Sequence, residues 1–393
     1  MESNRHFGEV GIYIHIPFCE KKCFYCDFYS LENHSQRKEF VGSLIKEIEL
    51  FSMNHSQHYK VDTIFFGGGT PSLLTANEIN RIMESLYKYF DISSGVECTM
   101  ECNPGTVNLE SLLRYRQIGV NRLSFGVQSF FDDELKFLSR IHDSHQATEA
   151  VVLARKSGFE NINLDLMYGL PNQTIARVAA NLVKTVELNP DHISAYNLIV
   201  EPGTPLYASV SFGEVKPLDE ATEAQMYQLT MSFLEDNGYG HYEISNYSRT
   251  GFQCRHNLKY WNCEEYVSFG PSAHSHLDGV RWWNVSSLSN YISSLSEDKL
   301  PISAKESLTE TQLIDEFILL QLRQGKIDLR VLKDKFAIEL VPDFVWDLEA
   351  NGYANVSDGR FLLTERGFIV CDKIVEELSS LNLAKVSNPR KAG

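Results

Sequence analysis

The sequence predicts an α/β protein, a partial (β/α)6 barrel followed by a mainly helical, winged-helix-like domain. Two observations lead there. Six short runs rich in Ile, Val, Phe and Tyr alternate with longer amphipathic segments, and beyond about Leu308 the pattern becomes helical with a single hairpin signal. The runs are residues 11–16, 62–66, 96–101, 121–127, 161–167 and 192–199. Residues 36–51, 76–90, 144–156 and 175–188 have helical periodicity. Such alternation builds βαβ units and a parallel sheet covered by helices. Six units are fewer than a closed eight-fold barrel needs, so the barrel is expected to be open.

Residues 1–236 form the predicted core domain. Residues 237–304, rich in Tyr, Trp, His, Asn and Ser, break the alternation and read as a connecting segment. The C-terminal domain, 305–384, holds helical segments 311–323, 328–336 and 341–351. A hairpin of 353–356 and 360–363 turns at Asp358-Gly359, and a last helix covers 365–381. The tail, 385–393, reads as disordered.

Composition narrows the function classes. The 393 residues carry a net charge of −16, which opposes nucleic-acid binding, and the central C-terminal helix adds Asp343, Asp347 and Glu349. No apolar run is long enough to span a bilayer; the run 317–322 meets Arg323. With no apolar leader at the N-terminus, the expected address is cytoplasmic. Eight cysteines without an export signal read as metal or redox ligands rather than disulfides.

Three of them, Cys19, Cys23 and Cys26, have CxxxCxxC spacing directly after the first strand. Three thiolates on one loop can hold three irons of a 4Fe-4S cluster and leave the fourth iron open. Zinc competes, with His15 as a conceivable fourth ligand, although structural zinc sites usually close with paired spacings. Three unligated thiols are the bland alternative.

Ligands of open α/β sheets gather at the C-terminal ends of the strands. There this sequence places Gly67-Gly68-Gly69-Thr70-Pro71, Glu101, Gln128 and Asp165, with Arg140 further on. A glycine triplet exposes backbone N–H and C=O groups, yet alone it is as often a tight turn. The acids could accept from hydroxyls or cations or be solvated strand ends, and Arg140 could pair with a carboxylate.

CxxxCxxC followed by the glycine loop resembles the radical S-adenosylmethionine superfamily. That resemblance implies a cluster whose open iron chelates S-adenosylmethionine, and whose reduction gives a 5′-deoxyadenosyl radical. The stretch 12–199 is similar to the coproporphyrinogen oxidase HemN and its relative HemW. The shared motifs are Ile14-His15-Ile16-Pro17-Phe18-Cys19, Gly67 to Pro71, Ser124-Phe125-Gly126-Val127-Gln128-Ser129 and Tyr168-Gly169-Leu170-Pro171. Carried over by motif, Tyr13, Gly68 and Glu101 would contact the iron-bound cofactor. Tyr25, Gly69, Thr70, Gln128, Arg140 and Asp165 would line a second cofactor position.

Two features separate the branches of that family. The oxidases carry a further cysteine two residues after the triplet, where this chain has Phe28, and a longer N-terminal extension. The segment Cys254-Arg255-His256-Asn257-Leu258-Lys259-Tyr260-Trp261 matches the HNxxYW motif of HemW-like heme chaperones. The resemblance implies a chaperone that binds heme and passes it to an acceptor hemoprotein, a respiratory one among the candidates, with a flavodoxin-type reductant for the cluster. His256 would ligate heme iron, and Tyr260 and Trp261 would pack on the porphyrin. From residue types alone, a His with two aromatics is more often ordinary packing. The alternative is oxygen-independent decarboxylation of coproporphyrinogen III, so whether the chain is an enzyme stays open.

Overall fold

The computed structural model describes residues 9–55, 59–381 and 383–385. Six parallel strands pair in chain order: β1 (Glu9–Ile16), β2 (Lys60–Gly68), β3 (Asp91–Cys102), β4 (Arg122–Gln128), β5 (Asn161–Tyr168) and β6 (His192–Asn197). Between them run α1 (Arg37–His55), α2 (Ala76–Tyr89), α3 (Leu109–Ile118), α4 (Asp132–Phe137), α5 (Ser144–Lys156) and α6 (Ile175–Glu187). Side chains fix the N-termini of two of them: Thr75 and Glu78 form a reciprocal capping box on α2, as do Asp143 and Gln146 on α5.

The two faces of the strands differ in chemistry. Ile12, Ile14, Ile64, Phe66, Leu123, Phe125, Ile162 and Leu164 point to the helices and are fully buried. Thr63, Glu97, Thr99, Arg122, Ser124, Asn163, His192 and Ser194 alternate with apolar neighbours on the other face and are also buried. The barrel interior is therefore polar and closed to water, a surface suited to holding a ligand rather than filling a core.

Residues 237–304, expected as a connecting segment, extend this sheet at both edges. After α7 (Pro205–Ser211) and α8 (Glu220–Asp236), β7 (Gly240–Glu243) and β8 (Asn246–Ser248) form a hairpin antiparallel to β6. α9 (Arg255–Trp261) follows, and then β9 (Tyr266–Phe269) pairs parallel to β1. β10 (His274–Leu277), β11 (Val280–Asn284), α10 (Leu288–Ser296) and β12 (Ile302–Glu306) complete a twelve-stranded sheet. These strands are three to five residues long, too short for alternation to show in the sequence.

A second apolar cluster, around Phe317, Ile318, Leu322, Leu332 and Phe361, belongs to the C-terminal region. It holds α11 (Glu310–Arg323), β13 (Lys326–Asp328), α12 (Leu329–Phe336), β14 (Ile338–Leu340) and α13 (Pro342–Ala350). The hairpin is β15 (Ala354–Ser357) and β16 (Arg360–Leu363), with Asp358 and Gly359 both at positive φ, and it joins β13 in a three-stranded sheet. The expected last helix is broken at Val370 into α14 (Glu365–Ile369) and α15 (Cys371–Leu381). The tail expected to be disordered lies outside the described residues except for Lys385, which ends β17 (Leu383–Lys385), paired with β14. Among the described residues no helix is long and apolar enough to cross a membrane.

One buried acid ties the β9 edge to the barrel. Glu47 on α1 accepts from the Gly270 N–H (2.9 Å), the Asn284 amide (2.6 Å) and the Tyr291 hydroxyl (2.5 Å). Burial pushes its carboxyl up from 4.5 to about 7 despite these donors. The protonated form therefore contributes its full stability below about pH 4.5, and that contribution is lost as pH rises through about 7. We predict that the melting temperature of the wild type falls relative to Glu47→Gln between those two pH values; parallel melting curves would contradict the buried-acid assignment.

Candidate functional site

The cysteine loop is held by the strands on either side of it. Beyond β1, the Cys19 N–H donates to the Leu31 carbonyl (3.0 Å) and the Leu31 N–H to that of Pro17 (2.7 Å), closing the loop at its base. The far end of β2 grips the same segment. Gly69 N–H donates to the Ile16 carbonyl (2.8 Å) and Thr70 N–H to that of Phe18 (2.7 Å). A Cβ on Gly69 would lie 2.6 Å from the Phe18 oxygen, so only glycine allows this approach. Gly68, at φ +108°, turns the chain and donates its N–H to Glu101 Oε2 (3.1 Å).

Cys19, Cys23 and Cys26 face one another closely enough that each charge would disfavour the next. Burial raises the Cys19 thiol and carries that of Cys26 to about 11. Thr70 Oγ1 donates to Cys19 Sγ (3.6 Å) and Arg140 Nη1 to Cys23 Sγ (3.3 Å). Donors aimed at sulfur are what a cluster's thiolates require. Among the described residues no three Cys, His, Asp or Glu side chains converge on a point suited to one metal ion. A cubane spreads three thiolates over three irons, so the triplet fits it without such convergence. His15, the conceivable fourth zinc ligand, is otherwise engaged: Nε2 bonds the Tyr29 carbonyl (3.0 Å) and Nδ1 the Tyr13 hydroxyl (3.2 Å). All eight cysteines are free.

Behind the loop, the strand-end residues meet in one buried, charged space. Burial, with the neighbouring Asp165, pushes the Glu101 carboxyl up to about 8. Asp165 is raised as well by burial, although Asn163 Nδ2 (2.7 Å) and Ser124 Oγ (3.3 Å) donate to it. The Tyr13 phenol is raised by burial and by Glu101. Tyr25 lies within electrostatic reach of Arg140, Cys23, Cys26 and Asp165. Gln128 adopts φ 66°, and its buried side-chain oxygen has no protein partner. Burial works against the charge of both acids, and together with the unpartnered amide oxygen of Gln128 they are acceptors facing a missing donor. A ligand with an ammonium, a sulfonium or ribose hydroxyls supplies what they lack. All nine residues proposed for S-adenosylmethionine lie on this side of the barrel.

Asn163, Ser124, Ser194 and Arg122 were missed as site residues. They orient Asp165 or bear on its charge, and the spacing Asn161, Asn163, Asp165 along one strand carried the signal.

The HNxxYW segment forms α9, which closes the opposite opening of the barrel. Arg255 and Lys259 pair with Asp62 near the start of β2 (3.1 and 2.9 Å), and Lys259 also donates to the Glu9 carbonyl (3.0 Å). His256 is 1% exposed. Its Nδ1 bonds Thr63 Oγ1 (2.9 Å), its Nε2 bonds the Tyr260 hydroxyl (2.9 Å), and its ring stacks on Phe65 (5.2 Å). Burial, then the Lys259 and Arg122 charges, lowers its pKa to about 3. Both ring nitrogens of His256, the residue expected to ligate heme iron, are hydrogen-bonded in this arrangement. Trp261 is half-buried, with its carbonyl accepting from Gln321 of α11 (3.1 Å), whereas Tyr260 lines a cavity.

We predict that Gly69→Ala displaces the Cys19 segment and costs on the order of 1–3 kcal/mol. Anaerobically reconstituted variant should melt earlier and retain less iron and sulfide than the wild type. Equal melting and equal iron would refute the close backbone contact.

The sequence profile described as the Radical SAM superfamily matches residues 13–182. "Heme chaperone HemW" of Bacillus subtilis is 36% identical over 92% of this chain and 97% of its own length. The protein of that name from Escherichia coli is 38% identical over 67% and 69%. Among solved structures, coproporphyrinogen III oxidase (HemN) from Escherichia coli, described as a radical SAM enzyme, superposes with a TM-score of 0.81 over 95% of this chain and 91% of its own. At 24% identity that likeness speaks for the fold. With a polar half-barrel, a cysteine loop at its mouth and full-length relatives of one name, the chain belongs to the HemW family of radical SAM proteins.

Proposed function

We propose that this protein is a heme chaperone that binds heme and passes it to an acceptor hemoprotein. It would carry a 4Fe-4S cluster on Cys19, Cys23 and Cys26 with exchangeable S-adenosylmethionine beside it. The observation that carries the reading is position 28. Where the oxidase branch has a further cysteine, this chain has Phe28, 63% exposed, its carbonyl receiving the Lys22 ammonium at 3.0 Å. The relatives matched over more than nine-tenths of their own length, each called a heme chaperone, point the same way.

Cys19, Cys23 and Cys26 would hold the cluster, which when bound would supply a site for S-adenosylmethionine and an electron for it. The chain's own residues bind, orient and exclude water. Tyr13, Gly68 and Glu101 would hold the iron-bound molecule, with Glu101 accepting hydroxyl or ammonium protons. Tyr25, Gly69, Thr70, Gln128, Arg140 and Asp165 would line the second position. Arg140 fixes the wall by donating to the Gly126 carbonyl (2.6 Å) and to Cys23. Heme contact through His256 and Trp261 would require α9 to open, whereas Tyr260 lines a cavity in the closed arrangement. The acceptor is a hemoprotein, the reductant flavodoxin-like, and the setting cytoplasmic.

Two measurements test this. The anaerobically reconstituted protein should develop a Soret band with hemin and form no protoporphyrinogen from coproporphyrinogen III; sustained turnover would overturn the chaperone reading. Cys23→Ser should abolish the cubane absorption and lose most of the iron, and an intact cubane spectrum would remove the cluster from this loop.

A further inference from the structure

The motif Tyr168-Gly169-Leu170-Pro171 is taken up neither by the cofactor residues nor by the heme segment. The loop it opens, between β5 and α6, forms one wall of a cavity of about 440 Å³. Residues of α4, the first turn of α6 and the segment 214–216 beyond α7 complete it. That volume falls within the roughly 300–1,000 Å³ of small-molecule sites. One apolar layer separates the cavity from the cysteine loop, since Phe137 in its wall packs edge-on against Phe24 at 5.6 Å.

Two buried side chains of the wall carry polar atoms without partners among the described residues. Gln173, 4% exposed, accepts the Leu170 N–H at Oε1 (3.4 Å), which orients the amide and leaves Nε2 with no acceptor. Glu134, 5% exposed, accepts from the Ser129 hydroxyl (2.5 Å) and the Asn181 amide (3.3 Å) at Oε2. Its Oε1 has no hydrogen-bond donor, and Arg177 Nη1 stands 3.6 Å away. A buried donor and a buried acceptor left idle both cost stability, and a ligand in the cavity would satisfy them. We infer that the cavity binds a small neutral molecule whose edge carries an acceptor for Gln173 and a donor for Glu134, an amide edge of the nucleobase or carboxamide kind.

The charges of the wall select neutrality. Asp133 holds both ends of the Arg177 fork at 2.7 Å, so that fork is not free to clamp an anion. Asp133, Glu134 and Glu214 also outnumber Arg177 and Lys216. A cation is not needed either, because Arg177 already gives the Glu134 carboxylate its counter-charge. Phe137, Leu170, Pro171 and Val215 supply an apolar remainder against which a flat ring can lie.

Saturation-transfer NMR on the full chain tests this with two probes. Uracil carries the amide edge within its ring, and nicotinamide carries it as an open carboxamide. At least one should be saturated while benzoate and benzylamine stay silent, and the one that answers separates the two kinds. Gln173→Met removes the donor at similar volume and should weaken binding at least fivefold. Val215→Trp fills the cavity from its more exposed side and should abolish the signal, which decides the matter if the other variant does not fold. Silence of both neutral probes, equal signals from the charged ones, or unchanged binding in either folded variant would overturn the site. The chaperone reading is untouched by any of these results, because no heme residue takes part.

Discussion

Two backbone hydrogen bonds, from Gly69 and Thr70 to the carbonyls of Ile16 and Phe18, set the position of the cysteine loop. A loop carrying three thiols would otherwise be free to wander, because burial and mutual repulsion of their charged forms both work against bringing thiolates together. Clamped between the ends of β1 and β2, it stays at the barrel mouth with Thr70 and Arg140 aimed at two of its sulfurs. The glycine triplet thus serves two neighbours at once. It admits the close approach of the cysteine segment on one side and presents an N–H to Glu101 on the other.

The polar lining behind that clamp is held by hydrogen bonds among many of its members. Asn163 bonds Ser124, Asp165, Ser194 and His192, and α9 stops the far opening with Arg255, His256 and Lys259 on Asp62, Thr63 and Glu97. A buried network of this kind is specific when complete and costly when broken. The C-terminal region secures the stopper from outside, since Gln321 of α11 and Gln324 just beyond it bond Trp261 and Asn262.

Much of this was legible in the sequence. The six barrel strands stood out because each buries one apolar side against helices, and α5 spans the 144–156 expected from periodicity, with Asp143 capping it in the structure. The strand-end acids and the glycine loop were legible because parallel topology sends ligand groups to one end of the sheet. β7 to β12 were not, since strands so short take their pairing from β1 and β6 rather than from their own pattern. The engagement of His256 was hidden for a related reason. Residue type says that an imidazole can ligate, but only tertiary packing says whether its nitrogens are already engaged, and those of His256 are.

Tyr13, His256 and Tyr260 stand in a row, ring against ring, from the cysteine side of the barrel to the outer cavity (6.4 Å, then 5.2 Å). A partition only a few rings thick cannot be indifferent to what leans on it. Filling one chamber would press on a histidine whose hydroxyl partners lie on both sides, and the pressure would pass to the other chamber through close-packed side chains. The two compartments of this protein are, in mechanical terms, adjoining rooms with a shared wall.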